Sequence, residues 1–141
     1  MNIASSEQFS ELTFYTLSHP DKDYFIHQHV VDAFHAQTAN QHTKPIQLTF
    51  ALVGLYLFLE KDYSGRQVQE AHAKIASEKI SWPQQPLPIE RGVVTAGDVL
   101  NAAAGSERDE IIKQWCASVW HAYAEWHVSI EQLVKLKLDE I

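Results

Sequence analysis

Three side chains of the kind that bind metals or transfer protons interrupt stripes of apolar residues. His127 occupies the next position of a helical stripe formed by Ile112, Cys116, Val119, Trp120 and Tyr123. His27 points towards the side on which Val30, Val31 and Phe34 cluster, at about 100° per residue. Glu60 ends a row formed by Thr49, Val53 and Tyr56. All three side chains are therefore predicted to face inwards.

Inward-facing imidazoles and carboxylates need partners, because leaving a buried polar group unsatisfied costs roughly 1 to 3 kcal/mol or more. If His27, Glu60 and His127 converge, two nitrogens and a carboxylate provide ligands that Zn, Fe or Mn accept. These three residues are the candidate metal site. In the alternative interpretation each histidine donates to a backbone carbonyl or to a neighbour, and no site forms.

A second polar cluster lies on the same predicted helix as His27. His29, Asp32 and His35 follow one another at i, i+3 spacing, and Gln28 precedes Asp32 by four residues. Asp32 points about 140° away from His27 around a straight helix, so the two cannot easily share a metal ion. Asp32 is interpreted either as part of a solvated or helix-capping polar face or as a group that contacts a ligand.

The sequence lacks the common signatures of nucleophilic and zinc enzymes. There is no G-x-S-x-G and no H-E-x-x-H, and Cys116 lies in the middle of a helix on an apolar face, where thiols tend to be inert. An aromatic row either stacks on a ligand or fills the core; it comprises Trp115, Trp120, Tyr123 and Trp126. Whether the protein is an enzyme is left open by these patterns.

The composition is that of an ordinary globular protein. With 45% hydrophobic and 21% charged residues, the 141 residues fit one domain spanning 1–141. A net charge of −7 with scattered Lys and Arg argues against nucleic acid and anionic membranes as partners. The longest apolar run, Leu48 to Leu59, is shorter than the ~20 residues of a membrane span and suits a central core helix. A single cysteine and no recognisable secretory signal favour the cytoplasm.

Helix-start signals divide the chain into seven predicted segments, because Ser, Thr and Asp recur before apolar-periodic stretches. The segments are Ser6 to Leu17, Asp21 to Asn40, Pro45 to Lys61, Ser64 to Ser77, Thr95 to Ala102, Ser106 to His127, and Ser129 onwards. Three prolines make 82–92 a loop, and residues 91–95 could form a brief strand. We predict an all-α fold, a compact bundle of about five to seven helices with this proline-containing loop.

Three segments carry a resemblance to a known family. They are H-Q-H-V-V-D-A-F-H-A-Q from His27 to Gln37, L-V-G-L-Y-L-F-L-E-K from Leu52 to Lys61, and W-C-A-S-V-W-H-A-Y from Trp115 to Tyr123. The chain resembles a family of small bacterial proteins known only as a domain of unknown function, with the pattern H-x-x-x-V-D-A-Y/F-x-x-Q. The resemblance covers most of the chain but implies no activity or cofactor. It marks His27, Asp32, Gln37, Glu60, Trp120 and His127.

These observations support three hypotheses about function. In the first, an enzyme holds a divalent metal or an acid/base pair at the candidate metal site, with Asp32 and Gln37 orienting the ligands or contacting a small polar substrate. In the second, the histidines are structural and an exposed face forms a homodimer or binds a partner protein. In the third, a cavity of the bundle binds a small molecule through aromatic residues such as Trp120 and Tyr123.

Overall fold

The computed structural model describes residues 3–18, 26–77 and 82–138, with side chains from residue 6 onwards. Within these ranges the chain is helical and contains no strand, which confirms the all-α prediction. The helices are α1 (Ile3–Ser18), α2 (Ile26–Gln37), α3 (Pro45–Lys61), α4 (Gly65–Ala76), α5 (Ala96–Asn101), α6 (Ser106–Ala122) and α7 (His127–Leu138), with a 3-10 turn at Ala124–Trp126. The strand predicted at 91–95 is wrong, and the predicted start of α2 at Asp21 lies outside the described residues.

The helix starts that local side chains determine agree with the sequence prediction. Pro45 is the first residue of α3, where its missing N–H leaves no hydrogen bond unmade. Ser64 caps α4 through Oγ, which accepts from the backbone N–H of Gln67 at 3.2 Å, while the Gln67 side chain accepts from Ser64 N at 2.8 Å. Thr95 and Asp98 form the same reciprocal box at the start of α5.

The boundary between the last two long helices differs from the prediction. Ser106 is the first residue of α6 and makes no capping hydrogen bond, because Gly105 at φ 99° precedes the helix. The helix ends at Ala122, five residues before the predicted end at His127. His127 instead begins α7, so the start predicted at Ser129 is also wrong.

Helix α3 forms the centre of the bundle, as its apolar sequence predicts. Its residues from Leu48 to Phe58 are buried apart from the half-exposed Phe50, and the helix packs against α2, α4, α6 and α7. The buried hydrophobic side chains of the described residues form one cluster around it. No helix within the described ranges is both long and apolar enough to cross a membrane.

Helix α2 lies between four other helices, α1, α3, α4 and α6. An amphipathic helix at a bundle surface buries one stripe and exposes the other. Because α2 has neighbours on several sides, its buried residues include both apolar and polar side chains, among them His29 and Asp32. The position of α2 therefore places polar groups inside the protein.

The segment 82–95, here called the proline strap, packs against α2 and α6 without forming a helix. Ser118 of α6 accepts a hydrogen bond at 2.8 Å from the backbone N–H of Val93. The guanidinium of Arg91 donates to the carbonyl of Ala39, beyond the end of α2. The indole N–H of Trp126 donates to the carbonyl of Pro86 at 3.2 Å. The strap is thus an ordered part of the fold, as predicted for its prolines.

Candidate functional site

The three residues of the candidate metal site lie in separate environments. His27 is half-buried, and its Nδ1 lies 2.8 Å from Oγ1 of Thr16 in α1. His127 donates from Nε2 to the carbonyl of Trp120 at 2.8 Å, and its ring stacks on that indole with centroids 3.8 Å apart. Glu60 is exposed near the end of α3. Each group thus meets a different part of the fold.

The predicted convergence of His27, Glu60 and His127 is not found. Among the residues that the structure describes, no group of three or more His, Cys, Asp and Glu side chains could hold a metal ion. The physical reason is that Glu60 belongs to the last turn of α3, where the core ends, and each histidine is held by a neighbour on α1 or α6. The two contacts are of the kind named in the alternative interpretation, with a neighbouring side chain for His27 and a backbone carbonyl for His127.

Gln37, a second candidate from the sequence, joins three elements of the fold. Its Nε2 donates to the carbonyls of Val94 at 2.8 Å and Arg91 at 3.3 Å, and its Oε1 accepts from the indole N–H of Trp115 at 2.9 Å. These bonds use both donors of the amide and one of its acceptor positions. Gln37 therefore acts as a link between α2, the proline strap and α6.

The two aromatic candidates are also parts of the core. Tyr123 donates its hydroxyl to the carbonyl of Ala36 at 2.6 Å, and burial raises the pKa of this phenol. Trp120 packs between His127 and Tyr56 and is buried. Their rings fill space inside the bundle as members of its hydrophobic core.

Asp32 is the residue for which the structure gives the clearest indication of a site. Its side chain is only 2% exposed. Oδ1 accepts a hydrogen bond from Nε2 of Gln28 at 3.1 Å, whereas Oδ2 has no hydrogen-bond partner among the described residues. Because burial disfavours the charged form, the pKa of Asp32 is raised well above its usual value, although the Gln28 bond opposes this shift.

Gly54 of α3 makes the space that the Asp32 carboxyl occupies. A Cβ on Gly54 would lie 1.9 Å from Oδ2 of Asp32 and 2.6 Å from its Cγ. Since no side chain fits at such distances, the close approach of α2 and α3 depends on glycine at this position. Oδ2 of Asp32 therefore lies against the backbone of α3, inside the core.

His29 and Cys116 are the titratable neighbours in this region. The imidazole of His29 stacks on Phe58, with ring centroids 3.6 Å apart, and burial lowers its pKa to about 3. Cys116 donates its thiol to the carbonyl of His29 at 3.6 Å. Burial, and then the nearby charge of Asp32, raise the pKa of this thiol. We call Gln28, His29, Asp32 and Cys116 the polar core.

A cleft of about 730 Å³ opens beside the polar core. Phe58, which is 5% exposed, forms part of its wall. The ring of Phe58 also stacks on the imidazole of His29. Around the cleft lie groups of both charges and one further aromatic ring: Asp62, Tyr63, Arg66, Glu70 and Lys113. We call it the Phe58 cleft. Phe58 thus contacts both the cleft and the polar core.

Sequence reasoning assigned the wrong polar residues to the interior. It expected the buried face of α2 to be the face of His27, and it left Asp32 open between a solvated or helix-capping position and contact with a ligand. The signal that it missed is Gly54, a lone glycine within the apolar run of α3, where glycine costs about 1 kcal/mol relative to alanine in an ordinary helix. A glycine at such a position indicates that a group from another element comes close.

Comparison with known proteins places the chain in a family. The model of a family of unknown function, DUF5946, matches residues 6–124. The chain belongs to this family. The matched segment contains the whole polar core and the residues around the Phe58 cleft. No curated protein and no solved structure matches the chain.

Proposed function

We propose that this protein binds a small polar ligand at the polar core, through Oδ2 of Asp32, and that the ligand enters by the Phe58 cleft. The observation that carries the proposal is the buried carboxyl oxygen without a hydrogen-bond partner among the described residues. Leaving such a group unsatisfied costs about 1 to 3 kcal/mol, more when it is charged. A ligand that donates to Oδ2 removes this cost on binding.

The arrangement of α3 supports the same route. Gly54 contacts the Asp32 carboxyl, and Phe58 lies one helical turn further along α3, on the same side. Rotation of the Phe58 ring would therefore join the cleft to the space around Asp32. Side chains change rotamer without rearrangement of the backbone, and pockets of this kind form between helices of bundles.

The chemistry of the polar core favours binding over nucleophilic catalysis. The Cys116 thiol has a raised pKa, so the reactive thiolate is disfavoured. His29 has a pKa of about 3 and stays neutral near pH 7. A neutral imidazole, an amide and a carboxyl group provide donors and acceptors that orient a polar ligand. Since the sole cysteine is kept as a buried thiol, we place this ligand in the cytoplasm.

A screen of polar metabolites by thermal shift, followed by ligand-observed NMR, tests the proposal. We expect a ligand that stabilises the wild type and loses at least about tenfold in affinity in Asp32→Asn, which keeps the shape of the side chain but changes its hydrogen bonding. Glu110→Gln is the matched control, because Glu110 is an exposed carboxylate on α6. It should bind as the wild type does.

The same screen defines the opposite result. If every compound that stabilises the wild type binds Asp32→Asn with unchanged affinity, Asp32 is not the binding group and the proposal fails. A compound affected equally by Asp32→Asn and Glu110→Gln contradicts it as well, since a general electrostatic effect would then account for binding. Circular dichroism of each variant establishes that the fold is retained before affinities are compared.

A further inference from the structure

Building on the proposed function, we infer that the ligand is a small cation whose ammonium or amidinium group donates to Oδ2 of Asp32. The other carboxyl oxygen is already held by Nε2 of Gln28 at 3.1 Å. Oδ2 remains as the acceptor on the side of Gly54. A ligand for this position has to bring donors, and ammonium and amidinium groups carry several with little bulk.

Among the residues that the structure describes, no lysine or arginine contributes to the pKa shift of Asp32. Helix α3 contributes Gly54 and α4 contributes Val68, whose methyl group lies near the same position. Helix α6 contributes Cys116, an uncharged thiol. The pKa of Asp32 is accordingly shaped by burial and the Gln28 bond, with no cation among the causes. A positively charged ligand would supply the partner that a buried carboxylate ordinarily has.

The path to Asp32 also suits a cation. The aromatic side chains of Phe58 and Tyr63 line the cleft, and aromatic rings attract ammonium and guanidinium groups. Asp62 and Glu70 at the cleft offset the charges of Arg66 and Lys113, and the whole chain carries a net charge of −7. The long-range field therefore attracts cations, and the deepest group on the path is a carboxyl.

Cation binding at this site is coupled to release of a proton. Burial favours the protonated form of Asp32, and a cation beside Oδ2 favours the ionised form, so the proton leaves as the ligand enters. Cys116 on α6 is close enough to Asp32 for the carboxylate to raise the pKa of its thiol, and His29 precedes Asp32 by three residues on α2; the shifted pKa values of both groups keep them uncharged near pH 7. Asp32 is consequently the group that exchanges the proton, and binding tightens as pH rises.

Three probes of equal length test the inference: n-propylammonium, n-propanol and propionate. Each is titrated into wild type, Asp32→Asn and Glu110→Gln, with binding followed by heteronuclear NMR. In wild type and Glu110→Gln we expect n-propylammonium to bind at least about tenfold more tightly than the other two probes, and in Asp32→Asn this preference should vanish. The perturbed amides should belong to α2 and to α3 around Gly54 and Phe58.

Calorimetry of n-propylammonium binding in buffers of different ionisation enthalpy provides a second measurement that needs no variant. The titration is repeated between about pH 4 and pH 8, where the amine keeps its charge, so a released proton comes from the protein. We expect net proton release by the wild type. Binding without proton release overturns the inference.

The outcomes separate this inference from the proposed function. If n-propanol binds as tightly as n-propylammonium and both lose affinity in Asp32→Asn, the site exists but does not select cations. In that case the inference fails and the proposed function stands. If none of the probes causes a perturbation that depends on Asp32, the inference is overturned, and the metabolite screen decides separately on the proposed function.

Discussion

At the level of single residues, the burial of Asp32 makes the stability of the fold depend on pH. The carboxyl has a pKa near 3.8 when unperturbed and a higher one in the folded protein. Below the unperturbed pKa it is protonated in both states. As pH rises, the unfolded chain loses the proton first, which favours unfolding until the pH passes the folded pKa.

We therefore expect Asp32→Asn to gain stability relative to wild type as pH rises from about 4 to 8. The difference in free energy of unfolding should grow by up to about 1.4 kcal/mol per pH unit within the interval between the two pKa values. Urea denaturation across this pH range measures the difference. Glu110→Gln is the control, and its free energy of unfolding should change with pH as that of the wild type does. A difference that stays constant with pH would show that Asp32 is ionised in the folded protein.

The buried His29 changes the free energy of unfolding with pH in the opposite direction. Its effect cancels in the comparison of wild type with Asp32→Asn, since both proteins carry His29. Its pKa falls from 6.5 to about 3 on folding. Burial of the neutral His29 therefore adds fully to stability only at pH values above 6.5. As pH decreases through this interval, the unfolded chain binds a proton that the folded one does not. Acid therefore destabilises the wild type through His29 while it stabilises the protein through Asp32.

The contact between Gly54 and Asp32 leads to a second expectation. In an unhindered helix Gly→Ala stabilises by about 1 kcal/mol, but a Cβ at Gly54 would lie 1.9 Å from Oδ2. Gly54→Ala should therefore destabilise the wild type by about 1 to 3 kcal/mol, a cost typical of overpacking. In an Asp32→Ala background the cost should largely disappear. Equal effects in both backgrounds, measured by urea denaturation, would contradict the contact.

The sequence predicted the burial of individual polar residues less well than it predicted the helices. It predicted two histidines and a glutamate that face inwards, whereas the glutamate is exposed and the two histidines are half-buried. It selected His27, Glu60 and His127, because periodicity on one helix shows which residues share a face. Periodicity does not show how many neighbours that helix has, and Asp32 is buried by contacts from other parts of the chain.

At the level of elements, side chains within a few residues of a helix start determine where it begins. Ser64 caps α4, whereas Ser106, which has a similar sequence context, lies inside α6 and makes no capping bond. We expect Ser64→Ala to lower the free energy of unfolding by about 1 kcal/mol and Ser106→Ala to change it by less than about 0.5 kcal/mol. Chemical denaturation of the two variants checks this, and equal losses would contradict the assignment.

This contrast explains which element boundaries the sequence could predict. The reciprocal bonds of Ser64 with Gln67 and of Thr95 with Asp98 are local, so their spacing alone indicated the helix starts. The break after α6 involves Trp126, whose indole bonds to the carbonyl of Pro86 in the proline strap. A contact between segments 40 residues apart leaves no local pattern to be read.

At the level of the whole molecule, His27 and His127 hold different pairs of elements together. His27 meets Thr16 of α1, and His127 meets Trp120 of α6. We expect the destabilisation in the His27→Ala/His127→Ala double variant to equal the sum of the single variants within about 0.5 kcal/mol, because His27 bonds to Thr16 and His127 bonds to Trp120. Thermal denaturation with and without a chelator measures it. If the effects of the two substitutions are strongly non-additive, and the chelator abolishes this coupling, the result would instead support a metal ion bound by both histidines.

The helical class of the whole molecule followed from its patterns, but the arrangement of the helices did not. Seven segments with helical periodicity and legible starts predicted an all-α fold. Which helix lies between the others depends on side-chain packing between distant segments. The placement of α2 against α1, α3, α4 and α6 is the arrangement that buries Asp32, and it became evident only from the folded chain.

Cys116 provides a way to time the opening of the interior. It is the single cysteine of the chain and is buried beside the polar core, so an alkylating reagent has one target and reaches it only during excursions that expose the core. We expect Phe58→Ala to accelerate alkylation at least about tenfold and an exposed-site variant such as Glu110→Gln to leave it unchanged. Mass spectrometry of the labelled protein would record the rate. A bound ligand would make such excursions rarer, and slower alkylation of Cys116 would then report that the ligand is bound.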